Sequence, residues 1–399
     1  DAVYNKIPMQ DIVLQFSKEQ DNFNVKNLSF KNIANAQLEV KADIEKTFSE
    51  PQFKELTYSV KSSNFPAFVS SLGINTGDKG LFKRKLFAAQ GALAGNFNDF
   101  SLSSVQKFGD TEFSFTGLVA NPDKAKTAIN GDLELKTNNF ANFIKALNLD
   151  YTPNIPVTAF SANGKIKGNS DIFEFSAIDA HLGANKIKGL IQFDNSLDKP
   201  KLKAELDFDK FDAKRWFNLS KKNNTVYVSD TADFIELPAF SENKIDYSPL
   251  QKLDFDIKAT AQSFIYANKP YLATKAEVKL KQGVLNVLSF ETQSDKSTIS
   301  GDFVLNSNGT PNIKGKYYIA GVKTAALGGK VYRLNSGILS ANGTFDSNAS
   351  SVSDFMNNLN SSGSFQLTDT VMKGWDLDII KFAIEQRKSV AGFDNFVCS

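Results

Sequence analysis

The stretch FSFTGLV at residues 113–119 alternates large apolar residues with small or polar ones. Successive side chains of a strand point to opposite faces, so Phe113, Phe115 and Val119 are predicted to share one apolar face. LDFDIKA at 253–259 shows the same pattern, and short alternating runs recur along the chain. Gly, Asn, Asp, Ser and Pro residues separate these runs, which is typical of a meander of antiparallel strands.

The composition is that of a folded protein that has an unusually large amount of apolar side-chain surface to bury. The 399 residues are 41% hydrophobic and 23% charged, with a formal net charge of +2. This balance argues against a disordered chain and predicts no nucleic-acid partner. The chain has 35 Phe against 10 Tyr and 2 Trp. Because Phe has no polar group, so many Phe residues predict either a large core or a greasy lining.

An internal repeat of about 70 residues organises the first half. GALAGNFNDFSLS at 91–103 matches GKIKGNSDIFEFS at 164–176. The matched positions are Gly91 with Gly164, Gly95 with Gly168, Asn96 with Asn169, Phe100 with Phe173 and Leu102 with Phe175. Each unit has room for four to five strands, roughly eighteen along the chain, so the repeat predicts a meander built from similar units.

Short helices are predicted near the ends of repeat units. SNFPAFVSSLG, NNFANFIKALN and SVSDFMNNLN each place apolar residues at i, i+3, i+4 and i+7, which gives one apolar stripe. Asn64 and Asn139 are predicted N-caps, and Pro66 suits a first helical turn. A further helix is predicted in WDLDIIKFAIEQRK, which begins at Trp375, and it is expected to dock on the end of the sheet.

These patterns divide the chain into five parts. The predicted boundaries are 1–82, 83–155 and 156–218 for three β-groove repeats, 219–250 for an insertion or joint, and 251–399 for further repeats with a terminal helix. The segment 219–250 is assigned as a joint because it is polar, contains Pro238 and Pro249, and breaks the period.

The apolar faces require a cover, and the few helices cannot supply it. One solution is a β-sandwich, in which Phe side chains fill a dry core. The other is a mostly β fold in which one long curved antiparallel sheet forms a groove, with short helices at the repeat ends. An acyl chain in such a groove gains about 0.8 kcal/mol for each buried methylene. The residues predicted to line the groove are Leu38, Val40, Phe113, Phe115, Val119, Leu133, Leu135, Ile187, Leu206, Phe208, Leu253, Phe255, Ile257, Phe303, Leu305, Phe365 and Leu367.

The second half carries a resemblance to a known family. AFSENKIDYSPLQKLDFDIKATAQSF at 239–264, KAEVKLKQGVLNV at 275–287 and the segment 334–380 resemble the AsmA family of bacterial envelope proteins. Thr370 stands where that family usually has glycine. The positions that carry the resemblance are Phe240, Ser241, Ile245, Asp246, Leu250, Leu253, Asp254, Asp256, Ile257, Gly283, Leu285, Leu359, Gly363, Leu367, Asp369, Gly374, Asp376 and Leu377.

The resemblance implies a function that the strand pattern does not. AsmA-like proteins are held in the inner membrane of Gram-negative bacteria and extend into the periplasm. They are similar to bridge-like lipid-transfer proteins with repeating β-grooves. The implied role is movement of phospholipid between inner and outer membranes in support of outer-membrane biogenesis. The implied partners are phospholipid acyl chains, the inner membrane through a segment missing from this sequence, and outer-membrane components. An alternative is a scaffold with a dry core that assists outer-membrane proteins, and a repeat adhesin is a third.

No residue constellation in the sequence indicates catalysis, a cofactor or a metal site. His181 is the only histidine and is expected at the surface near a turn, and no phosphate-binding loop is present. The acidic residues near 207–212 and 254–256 alternate with apolar ones and are expected on the wet side of strands. The single cysteine, Cys398, excludes an intrachain disulfide. No apolar run is long enough to span a bilayer, and the sequence is expected to be a processed piece or a fragment.

Overall fold

The computed structural model describes thirteen stretches of the chain. They are residues 2–4, 7–33, 35–46, 50–71, 73, 85–121, 127–146, 155–169, 171–216, 241–266, 269–294, 297–323 and 334–372. Residues 373–399 lie outside this part, so the prediction of a helix from Trp375 stays a prediction.

Strands dominate the described residues. The first thirteen are β1 (Ala2–Tyr4), β2 (Ile7–Glu19), β3 (Asn22–Ile33), β4 (Ala36–Glu45), β5 (Gln52–Ser62), β6 (Phe87–Asn96), β7 (Asp99–Phe108), β8 (Thr111–Ala120), β9 (Ala128–Thr137), β10 (Phe160–Gly168), β11 (Ile172–Leu182), β12 (Asn185–Asp194) and β13 (Lys201–Asp212). The remaining seven are β14 (Asp254–Tyr266), β15 (Lys269–Lys281), β16 (Val284–Ser294), β17 (Ser297–Asn306), β18 (Asn312–Lys323), β19 (Leu334–Asn348) and β20 (Asn360–Met372). The short helices are α1 (Phe65–Ser71), α2 (Phe140–Ala146), α3 (Ala213–Trp216) and α4 (Val352–Asn357).

All twenty strands belong to one sheet. Each strand pairs with the strands before and after it in the chain, and β1 and β20 are its two edges. At about 4.8 Å between strands, the sheet is on the order of 90 Å long. The prediction of a long, mostly β groove-like sheet with a few short helices is therefore confirmed. The alternative of a β-sandwich is wrong for the described residues, since they form a single sheet.

One strand pair departs from the antiparallel pattern. β13 and β14 are parallel, in a register that runs from Lys201 opposite Asp254 to Asp212 opposite Ile265. Parallel neighbours require a connection that returns the chain to the end at which the first strand began. The segment between Asp212 and Asp254 makes this return, and it includes the predicted joint.

The described end of this connection, residues 241–253, is called the strap. It follows the strand ends of the second half and ends at β14. The Ile245 amide donates to the Ser350 carbonyl at 2.9 Å, and the Tyr247 hydroxyl donates to the Ala349 carbonyl at 2.6 Å. Gln251 Nε2 donates to Ser307 Oγ and Asn308 Oδ1, both at 3.0 Å. The strap therefore ties β14 to the β17–β18 turn and to the end of β19.

The sequence repeat corresponds to four strands followed by a helix. β6–β9 with α2 and β10–β13 with α3 show this order, as do β2–β5 with α1. Asn96 and Asn169, which the repeat aligns, make the same hydrogen bonds in their hairpins. Asn96 Oδ1 accepts the amides of Asn98 and Asp99, and Asn169 Oδ1 accepts those of Asp171 and Ile172, all at 2.8–2.9 Å. These Asx turns explain why asparagine occurs at both positions.

The helices begin where the sequence predicts. Asn64 Oδ1 accepts the Ala67 amide at 3.4 Å, and Asn139 Oδ1 accepts the Asn142 amide at 3.1 Å, so both predicted N-caps are confirmed. In α4, Ser351 Oγ accepts the Asp354 amide at 2.9 Å. The one-turn helix α3 was not predicted, because four residues carry too little periodicity to detect.

Two opposite rims result from this arrangement. Rim 1 is defined by the strand ends at Ser62, Phe87, Phe108, Thr111, Thr137, Phe160, Leu182 and Asp212. Rim 2 is defined by the strand ends at Gln52, Asn96, Asp99, Gly168, Ile172, Asp194, Lys201 and Asp254. Helices α1, α2 and α3 follow strands that end at rim 1, whereas α4 and the strap lie at rim 2.

Facing glycines bring two neighbouring strands unusually close together. Gly117 and Gly131 are paired across β8 and β9. A Cβ atom on Gly117 would lie 2.5 Å from Gly131 Cα, and one on Gly131 would lie 2.6 Å from Gly117 Cα. No real side chain tolerates such an approach, so the strands are closer here than any other residue type permits. Glycine at such positions allows two backbones to approach each other closely.

Candidate functional site

The strand register connects the predicted lining residues into rows. Paired residues of neighbouring strands lie on the same face, so a chain of pairs traces one face across many strands. One row crosses eleven strands: Leu38, Val60, Ala89, Gln106, Phe113, Leu135, Ala162, Ala180, Ile187, Phe208 and Ala261. This is called the rim 1 row, because it begins two residues from Ala36 at rim 1.

A second row lies toward the other rim and continues into the second half. It contains Val119, Ile129, Gly168, Phe173, Phe193, Leu202, Phe255, Leu280, Leu285, Leu305, Ile313 and Ser347. This is called the rim 2 row. Rows between and beyond these two include Val40, Phe115 and Leu133 in the first half. Leu206 on β13 also belongs to them, and in the second half they include Ile257, Phe303, Phe365 and Leu367.

All predicted lining residues except Leu253 therefore share one face of the sheet, called the apolar face. Leu253 is the last residue of the strap, directly before β14, and is half-buried. Val119 is buried, Phe365 is 59% exposed, and the others are half-buried. Their assignment to a lipid remains a proposal.

The two long rows of the apolar face carry no charge, and Lys18 on β2 pairs into this face opposite Phe23. Neither the rim 1 row nor the rim 2 row contains Asp, Glu, Lys or Arg. The adjacent row on the opposite face, by contrast, is polar or charged at every position except Val105. It consists of Glu39, Ser59, Gln90, Val105, Ser114, Glu134, Asn163, Asp179, Lys188, Asp207, Thr260, Lys275 and Glu291. Ion pairs such as Lys107–Glu112 at 2.8 Å and Lys186–Asp179 at 3.2 Å lie on that face. Asp207 and Asp256 lie on this opposite, polar face, as the alternation in the sequence predicts.

The described strands bury the apolar face only in part. Within the described ranges no second sheet covers it, and most of its large side chains keep intermediate exposure. Exposure rises toward both edges of the sheet. Leu14 and Phe16 on β2 are each 53% exposed, and Phe365 on β20 is 59% exposed. Apolar surfaces of this extent are unusual on soluble monomers and indicate binding sites.

Rim 1 carries an aromatic wall that the sequence reasoning did not identify as part of the site. Phe65 of α1 packs on Phe87 with ring centroids 4.1 Å apart, and Phe108 connects this pair to Phe113. The wall continues through α2 and α3 to β14 with rings 4.8–6.4 Å apart: Phe143, Phe140, Phe160, Trp216, Phe211 and Phe264. The signal in the sequence is Phe at the rim 1 ends of successive strands, but alternation alone does not distinguish a wall from a floor.

A small polar cluster interrupts the apolar face near its middle. The Tyr58 hydroxyl and Ser104 Oγ are hydrogen-bonded at 2.7 Å, and Gln106 Nε2 lies 3.4 Å from the same oxygen. Ser104 is only 2% exposed. Because these groups satisfy one another, the cluster does not break the apolar character of the surface.

The best-defined depressions among the described residues lie elsewhere. One of about 660 Å³ lies at rim 1 and is lined on the polar side by Asn32, Gln37, Lys61 and Lys107. Two smaller ones are lined mainly by polar-face residues such as Glu39, Lys41, Asp132 and Lys165. They are shallow gaps between rows of long polar side chains, so they do not mark the apolar face.

The described residues contain no group of three or more side chains suited to hold a metal ion. His181 is exposed in β11, where its Nδ1 lies 3.9 Å from Asp179 Oδ1. No described helix has both the length and the apolar character needed to cross a bilayer.

Comparison with known proteins gives no relatives on which to base an assignment. No family model, no curated protein and no solved structure matches this chain.

Proposed function

We propose that this protein is a non-enzymatic lipid-binding groove that carries phospholipid acyl chains along its apolar face. The observation that supports this proposal most directly is the half-exposed apolar face, whose uncharged rows together cross the strands from β4 to β19. A face of this length would be costly to leave in water.

The chemistry of the face favours hydrocarbon over a polypeptide. A bound peptide would bring amide groups that need hydrogen-bond partners, and the rows on this face offer almost none. Acyl chains have no such groups, and each buried methylene contributes about 0.8 kcal/mol. Among the described residues, no second sheet lies over this face. A hydrocarbon ligand therefore fits both the polarity and the shape.

The cellular role that we propose follows the resemblance to the AsmA family. The protein would act in the periplasm of a Gram-negative bacterium, anchored to the inner membrane. It would move phospholipid toward the outer membrane or back. The groove supports this role because a continuous apolar path lets a lipid advance without exposing its tails to water.

Site-specific photo-crosslinking tests the proposal. A photoreactive amino acid at Phe115, Phe208 or Phe255 is expected to capture lipid when the protein is extracted from cells. The same amino acid at Ser114, Asp207 or Asp256 is the matched control. Each control residue is the direct neighbour of one test residue in the same strand, so its side chain points to the opposite face. Equal labelling of both sets, or none at either, would contradict lipid binding at the apolar face.

Native mass spectrometry separates this function from the scaffold alternative. A lipid-binding groove is expected to retain phospholipid after purification, and Phe208→Asp is expected to reduce the retained amount at least tenfold, since it places a charge against the tails. Circular dichroism establishes whether the variant remains folded. Purified protein that carries no lipid under mild extraction would favour the scaffold.

A further inference from the structure

We propose that the first half of the groove, β3–β13, binds lipid in one orientation, with the methyl ends of the tails toward rim 1 and the head group in water at rim 2. This inference rests on the proposed function and adds to it the direction of the bound lipid.

Rim 1 is closed to a polar head group by the aromatic wall. Phe65, Phe108 and Phe140 are each 6% exposed, so the wall is as dry as a protein core. Ile155 and Leu182 fill the space beside α2. A phosphate held there would lose its hydration without a charged partner in these clusters, which costs several kcal/mol. Tail ends suffer no such penalty.

Rim 2 has the opposite character. Its described turns are short and polar, and their side chains hydrogen-bond to their own backbone. Asn98 and Asp99 are exposed beside Asn96, and the Asp194 carboxylate accepts the amide and the hydroxyl of Ser196 at 2.9 and 2.6 Å. At the β6–β7 turn Phe97 packs on Phe53 with ring centroids 4.9 Å apart, but the Phe97 side chain stays 59% exposed, so this rim is not sealed by buried rings as rim 1 is. A head group at this rim therefore keeps its hydration while the tails reach inward.

The dimensions suit this arrangement. A ten-residue strand such as β8 is about 33 Å long. The tails of one membrane leaflet occupy about 15 Å, half of the hydrocarbon core. Tails that enter from rim 2 therefore contact the rim 2 row near their carbonyl groups and extend toward the rim 1 row near their methyl ends.

Two photoreactive phosphatidylcholines test the orientation. One carries a diazirine next to the acyl carbonyl, and the other carries it near the terminal methyl. The carbonyl-side probe is expected to label the rim 2 row at Ile129, Phe173 and Phe193 at least fivefold more than the rim 1 row at Phe113 and Leu135. The methyl-side probe is expected to show the reverse preference.

A pair of variants on one strand provides an independent test. Ile129→Lys near rim 2 is expected to reduce bound phosphatidylcholine by no more than about threefold, because the ammonium reaches the hydrated rim. Leu133→Lys, four residues further along the same face, is expected to reduce it at least tenfold. Unfolding curves of both variants show that each is folded before binding is compared.

The outcomes distinguish this inference from the proposed function. Labelling of the apolar face by both probes without positional preference, or equal loss in the two variants, would overturn the orientation and leave lipid binding intact. An absence of labelling anywhere on the apolar face would instead overturn the proposed function.

Discussion

The two halves of the sheet differ in the side on which their helices lie. In β2–β13, α1, α2 and α3 follow strands that end at rim 1, and their aromatic side chains build the wall. In β14–β20, α4 and the strap lie at rim 2. The parallel pair β13–β14 causes this change, because it reverses the direction of every later strand relative to an uninterrupted antiparallel meander.

The difference shows that one parallel connection can change the rim at which a later helix lies. A helix after an even number of further strands would return to rim 1 if all neighbours were antiparallel. One parallel connection moves it to rim 2. The helices also differ in packing: α1 and α2 bury Phe65, Phe68, Phe140 and Phe143, whereas no residue of α4 is buried. The first half is therefore expected to depend on its helices more than the second.

The largest expected effect tests this difference in packing. Phe65→Ala removes a ring that contacts both Phe87 and Phe108, and it is expected to lower the free energy of unfolding of the first half by about 3–5 kcal/mol. Phe355→Ala in α4 is the matched change, because Phe355 is half-buried and contacts Phe345 with ring centroids 6.4 Å apart. Hydrogen exchange in the flanking strands measures both. Equal costs for the two substitutions would mean that the helices of the two halves are equivalent.

A smaller effect concerns a feature that the halves share. Gly131→Val in the first half and Gly343→Val in the second place side chains where the facing strand leaves no space, since a Cβ on Gly343 would lie 2.6 Å from the Ser362 carbonyl oxygen. Each is expected to cost about 1–3 kcal/mol, the usual range for overpacking. Urea unfolding followed by circular dichroism measures the cost. Thr116→Val, exposed on the polar face, is the control and is expected to be nearly neutral; a similar loss in it would remove the steric explanation.

The smallest effect lies at the junction of the halves. Burial raises the pKa of Asp254, but the hydrogen bond from Lys199 Nζ at 2.9 Å and that from the Gln282 amide outweigh it, so the net pKa is below its ordinary value. A carboxyl group with a lowered pKa in the folded state adds stability above its unfolded pKa of about 3.9 and loses it as the pH falls through the folded value. Asp254→Asn is therefore expected to reduce stability slightly at pH 7 and to have less effect at pH 3.

Urea midpoints at the two pH values measure this difference. Asp302→Asn, on an exposed position of the polar face, is the control. If Asp254→Asn changed the midpoint equally at pH 7 and pH 3, the carboxylate would not stabilise the junction through its charge.

Much of the fold can be read from local pattern. Alternation in stretches such as FSFTGLV identifies which side chains share a face, because each strand turns successive residues to opposite sides whatever its partners are. Asn64 and Asn139 identify helix starts because a cap acts within a single turn. The repeat from Gly91 to Phe175 identifies equivalent hairpins because Asx turns and close backbone approaches need particular residues at particular positions.

The sequence by itself determined which residues form the apolar face and where α1, α2 and α4 begin, since these depend on neighbours a few residues apart. Only the tertiary structure decided that the described strands form a single sheet, that β13 and β14 run parallel, and that Phe residues at rim 1 form a wall. These features depend on contacts between residues far apart in the chain. The same alternating strands could equally have closed into a sandwich, so local pattern has no means of choosing between the two.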